Sequence, residues 1–143
     1  IGVPGAFASN NPIVSTARGY IAGIDLPIGS FCWIDTADGT QVLNNGTGEP
    51  LGFVAREVTQ PINSWDTAQN FVPEGCNPTV MVKGDFYVQP TVDVAVGQKV
   101  FVTLADGSVV AGAAGATIAG AVETNFKFVT ASEADGIAVI SNW

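Results

Sequence analysis

The 143-residue sequence contains no histidine. Histidine is the commonest general base and the commonest metal ligand, so its absence removes every His-dependent triad and most hydrolytic mechanisms. An enzyme that used Asp25 and Asp93 as a carboxylate pair is one alternative, but such acids most often cap turns or strand ends. We therefore expect a protein that is not an enzyme, with no catalytic residues, no cofactor and no bound metal.

Positive charge is also scarce, with five Lys and Arg against thirteen Asp and Glu and a formal net charge of −8. Phosphate backbones would be repelled by such a surface, and the chain has no basic stripe to concentrate binding. Long hydrophobic runs are missing too, since Gly and Pro interrupt each apolar stretch well short of the ~20 residues of a membrane span. We expect neither nucleic acid nor a membrane as a partner.

Cysteine is limited to Cys32 and Cys76, whose spacing fits neither a CxxC metal site nor a secreted disulfide framework. We expect two free thiols, with a disulfide as the alternative. The sequence shows no secretion signal and starts at Ile rather than Met, so we expect that some residues before Ile1 are absent from it.

Apolar residues, in contrast, are abundant. They make up 47% of the chain, charged residues make up 13%, and the mean hydropathy is +0.33. Ordinary soluble domains have about 25% charged residues. A single domain of this length buries about two-thirds of its unfolded surface, which leaves apolar surface to be covered elsewhere. Protein partners are the expected cover.

The strongest pattern in the chain is a β-hairpin at residues 96–110, where apolar and polar residues alternate up to an Asp106-Gly107 turn. Residues 28–42 show the same pattern 68 positions earlier without a gap, turning at Asp38. The wider match of 20–54 with 88–122 has eight identities in 35 positions. Chance is the alternative explanation, because Asp-Gly hairpins are common.

Two such units are too few for a solenoid, so they predict a closed or two-layered β domain. We expect an all-β fold, a jelly-roll-like sandwich or small barrel built from two related hairpin units about a pseudo-two-fold. The single β domain would span residues 17–143. Its predicted core includes the residues of one strand face: Cys32, Ile34, Val100, Val102 and Leu104.

Residues 1–16 form a different kind of segment, rich in Gly, Pro and Asn and without helical or strand periodicity. We expect an extended N-terminal arm that either lies along a neighbouring subunit or is a frayed end. In the two hairpins, Trp33 and Phe101 lie on the outward-alternating face, where either a second sheet covers them or they anchor a neighbouring chain. The candidate contacts with a neighbouring chain, which are apolar or aromatic, are Phe7, Ile13, Val14, Trp33, Trp65, Phe101 and Trp143.

Several runs, in order along nearly the whole chain, carry a family resemblance: GAFASNNP (5–12), PLGFVARE (50–57), VPEG (72–75), TVMVKGDFYV (79–88), VGQKVFVTLADGSV (96–109) and FKFVTASEADGIAVISNW (126–143). The chain resembles the structural cement, or head decoration, proteins of tailed bacteriophages. This resemblance implies a non-enzymatic all-β protein that sits outside an assembled phage head, at capsomer junctions, and stabilises the shell. The alternative is a carbohydrate- or receptor-binding β module of a phage fibre, for which Trp65, with Asn63 and Asp66, is the candidate cluster.

The same resemblance implies the partners and the location. The partners would be the major capsid protein and a second copy of the chain, as a homodimer or alternatively as a trimer. The protein would occupy the outer capsid surface of the virion, after a stay in the host cytoplasm during assembly.

Overall fold

The computed structural model describes residues 2–16, 18–56 and 70–143 of the chain. These residues form 13 β-strands, which confirms the all-β prediction. In chain order they are β1 (Val14–Ser15), β2 (Ile21–Ala22), β3 (Leu26–Pro27), β4 (Phe31–Ile34), β5 (Gln41–Leu43), β6 (Gly52–Ala55), β7 (Phe71–Val72), β8 (Thr79–Lys83), β9 (Asp85–Val88), β10 (Lys99–Thr103), β11 (Val109–Gly112), β12 (Ala121–Phe128) and β13 (Ala138–Ser141). Within these ranges there is no helix that is long and apolar enough to cross a membrane.

The strands form two main sheets and one small one. The six-stranded sheet has the order β1-β8-β6-β4-β5-β2, and the five-stranded sheet has the order β11-β10-β12-β13-β9. Strands β3 and β7 make a separate antiparallel pair. The two main sheets keep open edges, so the architecture is a β-sandwich and not a closed barrel.

The core between the two main sheets is built on phenylalanine rings. Phe31 and Phe53 come from the six-stranded sheet, while Phe86 and Phe126 come from the five-stranded sheet, and all four are buried. The ring centroids of Phe31 and Phe126 are 5.6 Å apart, and those of Phe53 and Phe86 are 4.7 Å apart. Aromatic pairs at such distances add about 0.5–1.5 kcal/mol each beyond their buried area, so these contacts hold the sheets face to face.

A second apolar cluster covers the opposite face of the six-stranded sheet. Cys32, Val54 and Val80 point into it, and Leu26 of β3 and Val72 of β7 pack over them. This sheet is therefore buried on both sides. Burial on both sides explains why every residue of β6 is buried and why its sequence does not alternate between apolar and polar residues.

Both predicted hairpins are present, as the antiparallel pairs β4–β5 and β10–β11. Their registers differ by one residue: Ile34 pairs with Val42, whereas Val102, 68 positions later, pairs with Val109. The gapless repeat therefore locates the two strand pairs in the sequence, but it does not give the register in which the strands of each pair are hydrogen-bonded.

The difference in register accompanies a difference in face, and this corrects the predicted core. Val100 and Val102 lie in the core between the sheets and Leu104 packs against it, but Cys32 lies in the second cluster. Ile34 is 42% exposed, so its assignment to the core is wrong. It shares the Cys32 face of β4 by alternation, and the layer that covers this face does not reach the end of the strand.

Gly84 is the point where the chain passes from one sheet to the other. The apolar segment 79–88 is divided there into two strands, with β8 in the six-stranded sheet and β9 in the five-stranded sheet. Gly84 has φ +147°. A Cβ at this position would lie 2.8 Å from Phe86 Cζ, so only glycine fits this corner without displacing the core.

Candidate functional site

The acidic pair considered for catalysis serves the backbone instead. Asp25 Oδ1 accepts a hydrogen bond of 2.9 Å from the backbone N–H of Glu74, and Asp93 Oδ1 accepts one of 2.8 Å from that of Ala134. Each carboxylate thus fixes a distant turn, the structural role expected for a strand-end or turn acid. In the part of the chain that the structure describes, no three His, Cys, Asp or Glu side chains come together to hold a metal ion.

The acids of the hairpin turns are also structural. Asp38 Oδ1 accepts from the backbone N–H and the hydroxyl of Thr40, and these bonds, led by the hydroxyl, lower the pKa of Asp38. Asp106 Oδ1 accepts from the backbone N–H of Ser108. The turn role predicted for both residues is confirmed.

The first part of the N-terminal arm pairs with β9, the edge strand of the five-stranded sheet. Gly5 N–H donates to Tyr87 O at 2.8 Å, Tyr87 N–H donates to Ala6 O at 3.0 Å, and Ala8 N–H donates to Asp85 O at 2.9 Å. The Phe7 ring packs on Phe86 with a centroid distance of 5.8 Å. Residues 5–8 therefore act as an additional strand on this sheet.

The last part of the arm pairs with the other sheet. Strand β1 is antiparallel to β8, with Val14 opposite Lys83 and Ser15 opposite Met81. Thr16 N–H continues the pairing with a 3.1 Å bond to Val80 O. The arm therefore joins the edges of both sheets on the side where Gly84 makes the corner, and the structure places it on the chain's own sandwich.

Between these paired stretches the arm is fixed by Asp85. Asp85 Oδ2 accepts from the Ser9 hydroxyl at 2.6 Å and from Asn11 Nδ2 at 2.7 Å. The residue is only 9% exposed, and its Oδ1 is buried with no hydrogen-bond partner. Burial raises the pKa of this carboxyl, but its polar contacts with the side chains of Ser141, Ser9 and Asn11 together outweigh burial and hold the pKa below its usual value.

The C-terminal residues meet the arm at the same edge. Trp143 Nε1 donates to Pro12 O at 3.0 Å, and Lys83 Nζ lies 3.8 Å from the centre of the Trp143 ring. Asn142 bridges the corner, because its Nδ2 donates to Val82 O at 2.7 Å and its Oδ1 accepts from Gly84 N–H at 3.0 Å.

This edge carries a group of exposed apolar side chains that we call the arm surface. Its members are Phe7 (39% exposed), Ile13 (44%), Val14 (46%), Val82 (37%) and Trp143 (48%). Lys83 lies among them, and Asp85, the one acid in residues 2–16, 79–88 and 138–143, is buried. An apolar, weakly cationic surface on a chain of net charge −8 is the feature that most resembles a protein contact.

Two of the other candidate contacts, Trp33 and Phe101, do not lie on the arm surface. Trp33 is 4% exposed and donates from Nε1 to Gly48 O at 3.0 Å, while Phe101 is 1% exposed and lies against Gly112 beside Ile118. The Trp33 ring lies in the core between the two sheets, as in the first of the two alternatives above, whereas the Phe101 ring lies outside that core and is covered by Gly112 and Ile118. Both rings are thus buried by the chain itself. Trp65 lies outside the described residues.

Sequence reasoning missed three residues of this edge, Val82, Lys83 and Asp85. They lie in the apolar run 79–88, whose pattern is typical of a strand and gives no sign of a contact surface. The sequence does contain a signal for Asp85. A charged residue inside an apolar run that is expected to be buried needs hydrogen-bond partners from elsewhere in the chain.

Comparison with known proteins agrees with the observed fold. The family model of the structural cement protein (E217 gp24/Pam3 gp6) matches residues 1–142. A chain from the capsid of Myoviridae phage XM1 has the same fold, with a TM-score of 0.68 and 16% identity over 98% of this chain and 89% of that one. No curated protein matches this sequence significantly. The chain therefore belongs to the phage structural cement protein family, and it is a capsid-stabilising structural protein.

Proposed function

We propose that the protein binds the outer surface of an assembled phage head, at the junctions between capsomers of the major capsid protein, and holds neighbouring capsomers together. Family membership is the observation that carries this proposal, because it assigns a structural role in the capsid to nearly the whole chain. The role is non-enzymatic. The protein would be made in the host cytoplasm and join the virion when the shell has formed.

We assign the capsid contact to the arm surface. Four of its side chains are candidates from the sequence, and the fifth, Val82, is identified by the structure: Phe7, Ile13, Val14, Val82 and Trp143. These five side chains are 37–48% exposed, so a partner could remove a little under half of each from water. Full burial of such side chains contributes about 1.5–3 kcal/mol each, so completing it would contribute on the order of 5 kcal/mol in all.

A single contact of this strength would not hold the protein on a shell. Association costs about 4–15 kcal/mol in lost translational and rotational freedom, which is comparable with or larger than that gain. Two linked copies bind far more tightly than one, because the second contact forms within the same complex. This argument supports a homodimer bridging two capsomers, with a trimer as the alternative.

A matched pair of substitutions tests the contact. Ile13→Asp places a charge on the arm surface, and Ile34→Asp places the same charge at the end of β4, outside the arm surface, where the isoleucine is exposed to a similar degree (42% against 44%). We expect Ile13→Asp to lower co-sedimentation with phage heads that lack the protein by at least tenfold, and Ile34→Asp to leave it unchanged.

Both variants are first checked for the wild-type thermal unfolding temperature, so that a folding defect is not mistaken for lost binding. Equal binding by Ile13→Asp and wild type would show that the arm surface is not part of the capsid contact. No binding of the wild-type protein to heads would refute the proposed function itself. The mass of the protein in solution, measured by light scattering, separates dimer from trimer.

A further inference from the structure

We propose that Asp85 is a buried latch that holds the N-terminal arm on the sandwich, assembles the arm surface at neutral pH and releases the arm in acid. The latch is a property of the isolated protein. Only its consequence for head binding rests on the proposed function.

Asp85 lies where the arm crosses from one sheet to the other. Residues 5–8 pair with β9 and residues 14–16 pair with β8, but the stretch between them has no such pairing. Ser9 and Asn11 in this stretch instead donate side-chain hydrogen bonds, and both go to Asp85 Oδ2. One carboxylate oxygen thus fixes the part of the arm that must cross from one sheet to the other.

These two hydrogen bonds are short. Their lengths, 2.6 Å from the Ser9 hydroxyl and 2.7 Å from Asn11 Nδ2, are those of hydrogen bonds to an ionised acceptor. Such bonds are about twice as strong as neutral ones, and strongest where water is excluded, as at a residue that is 9% exposed. Asp85 therefore holds the arm through its charge as well as its shape.

The latch is linked to the arm surface. Ile13 and Val14 directly follow the latched stretch, and Pro12 O accepts the hydrogen bond from the Trp143 indole. If residues 9–12 leave the sandwich, Ile13 and Val14 lose their place beside β8 and Trp143 loses its partner. The latch therefore fixes the side chains of the arm and of the C-terminal residues in one surface.

The latch also responds to pH. A proton on the unpartnered Oδ1 would leave Oδ2 as a neutral acceptor, so both arm bonds would lose the strength that they owe to the charge of the carboxylate. The hydrogen bonds hold the pKa of Asp85 below its usual value, against the opposing effect of burial. A lowered pKa means that the stabilisation is complete above the carboxyl's ordinary pKa, near 4, and is lost as the pH falls through the lowered value. Arm docking should thus be stable at neutral pH and weaken below about pH 4.

The charged and titratable groups around Asp85 do not share this response. Lys83 on β8 lies over the Trp143 ring. Arg56, which follows β6, donates a hydrogen bond from Nε to Pro4 O. Tyr87 on β9 lies beside Gly2. Strand β13 contributes the Ser141 hydroxyl, and described arm residues 2–16 contain no ionisable side chain. Asp85 is thus the one carboxylic acid among these side chains.

The test measures hydrogen exchange of the arm amides in the full chain by mass spectrometry at pH 7. The double variant Ser9→Ala/Asn11→Ala removes both donors without altering the core. The control Asn10→Ala changes an exposed neighbour in the same stretch. We expect exchange over residues 2–16 to be at least about a hundredfold faster in the double variant, as for two lost bonds to a charged group, and unchanged in the control. Amides of β6 should exchange at the wild-type rate in both.

An effect within twofold of wild type, an equal effect of Asn10→Ala, or an increase that includes β6 would overturn the latch. The pH response has its own test: corrected for the intrinsic rate, arm exchange in the wild type should rise at least fivefold between pH 6 and pH 3. Asp85→Asn should show no such step, and an equal step in that variant would assign the response to another group.

Head binding is a separate readout. If the proposed function holds, the double variant should bind heads at least fivefold more weakly at pH 7 than Asn10→Ala does. Equal binding by the two variants would show that the latch does not contribute to head binding. If no variant and no wild-type protein binds heads, the proposed function fails, while the exchange data still decide whether the latch exists.

Discussion

Replacing Gly84 with alanine should destabilise the protein more than the same change at any open turn glycine. Gly84 has φ +147°, a backbone conformation that residues with a side chain rarely adopt. Strain of this kind costs about 1–3 kcal/mol. The added methyl group would also lie 2.8 Å from Phe86 Cζ and 3.0 Å from Ile13 Cγ2, and overpacking of a core typically costs a further 1–3 kcal/mol.

Gly97→Ala is the matched control for this prediction. Gly97 has φ +91°, but a Cβ built there meets nothing within 4 Å. It therefore carries the backbone strain without the steric clash. The two variants should differ by the overpacking term alone, about 1–3 kcal/mol, which corresponds to roughly 0.5–1.5 M in the urea midpoint for a slope of about 2 kcal/mol/M.

The assay is equilibrium unfolding in urea, followed by circular dichroism and by tryptophan fluorescence to test two-state behaviour. Gly84→Ala should also speed hydrogen exchange in the arm, because its methyl group pushes on Ile13. A Gly84→Ala variant that is as stable as Gly97→Ala would refute the reasoning that the corner between β8 and β9 is packed too closely for any side chain.

Two further predictions concern the core and the thiols. Phe53→Ala should destabilise the protein by about 3–5 kcal/mol, because the ring is fully buried between the sheets, whereas Ile34→Ala at an exposed position should cost less than about 1 kcal/mol in the same urea assay. A thiol reagent such as DTNB should modify only Cys76 in the native protein. Burial raises the pKa of the Cys32 thiol to about 12, so rapid labelling of both thiols without unfolding would contradict the structure.

The local features of this fold could be predicted from the sequence. Strand alternation at residues 96–110 and the turn acids Asp38 and Asp106 depend on neighbours within a few positions, and the hairpins formed where expected. Turn chemistry and the period of two are set locally, which is why a single sequence reveals them.

The face of each hairpin could not be predicted in the same way. Alternation shows that Cys32 and Ile34 share one side of β4, but it does not show which side meets the second sheet. The six-stranded sheet is covered on both sides, so polar residues do not mark an outward face. The buried ring of Trp33 follows from this double cover, whereas Ile34 is exposed because the cover ends before the last residue of β4.

The candidate site depended on contacts that are distant in sequence. Phe7, Ile13, Val14 and Trp143 were selected as unpaired apolar residues, and the structure places all four along one edge, partly exposed. Their proximity arises because the arm crosses both sheets beside Gly84 and because Trp143 reaches Pro12. Neither contact has a local sequence signal, and Asp85, which joins Ser9 to Asn11, lay hidden inside a strand pattern.

The most direct test of the account is the heat resistance of phage heads with and without this protein. Heads assembled without it are divided, purified protein is added to one half at saturating concentration, and DNA release is followed with a fluorescent dye as the temperature rises. Decorated heads should release their DNA at a clearly higher temperature than bare heads, and heads treated with the Ile13→Asp variant should behave like bare heads. Full decoration with no change in the release temperature would contradict the claim that this protein stabilises the capsid.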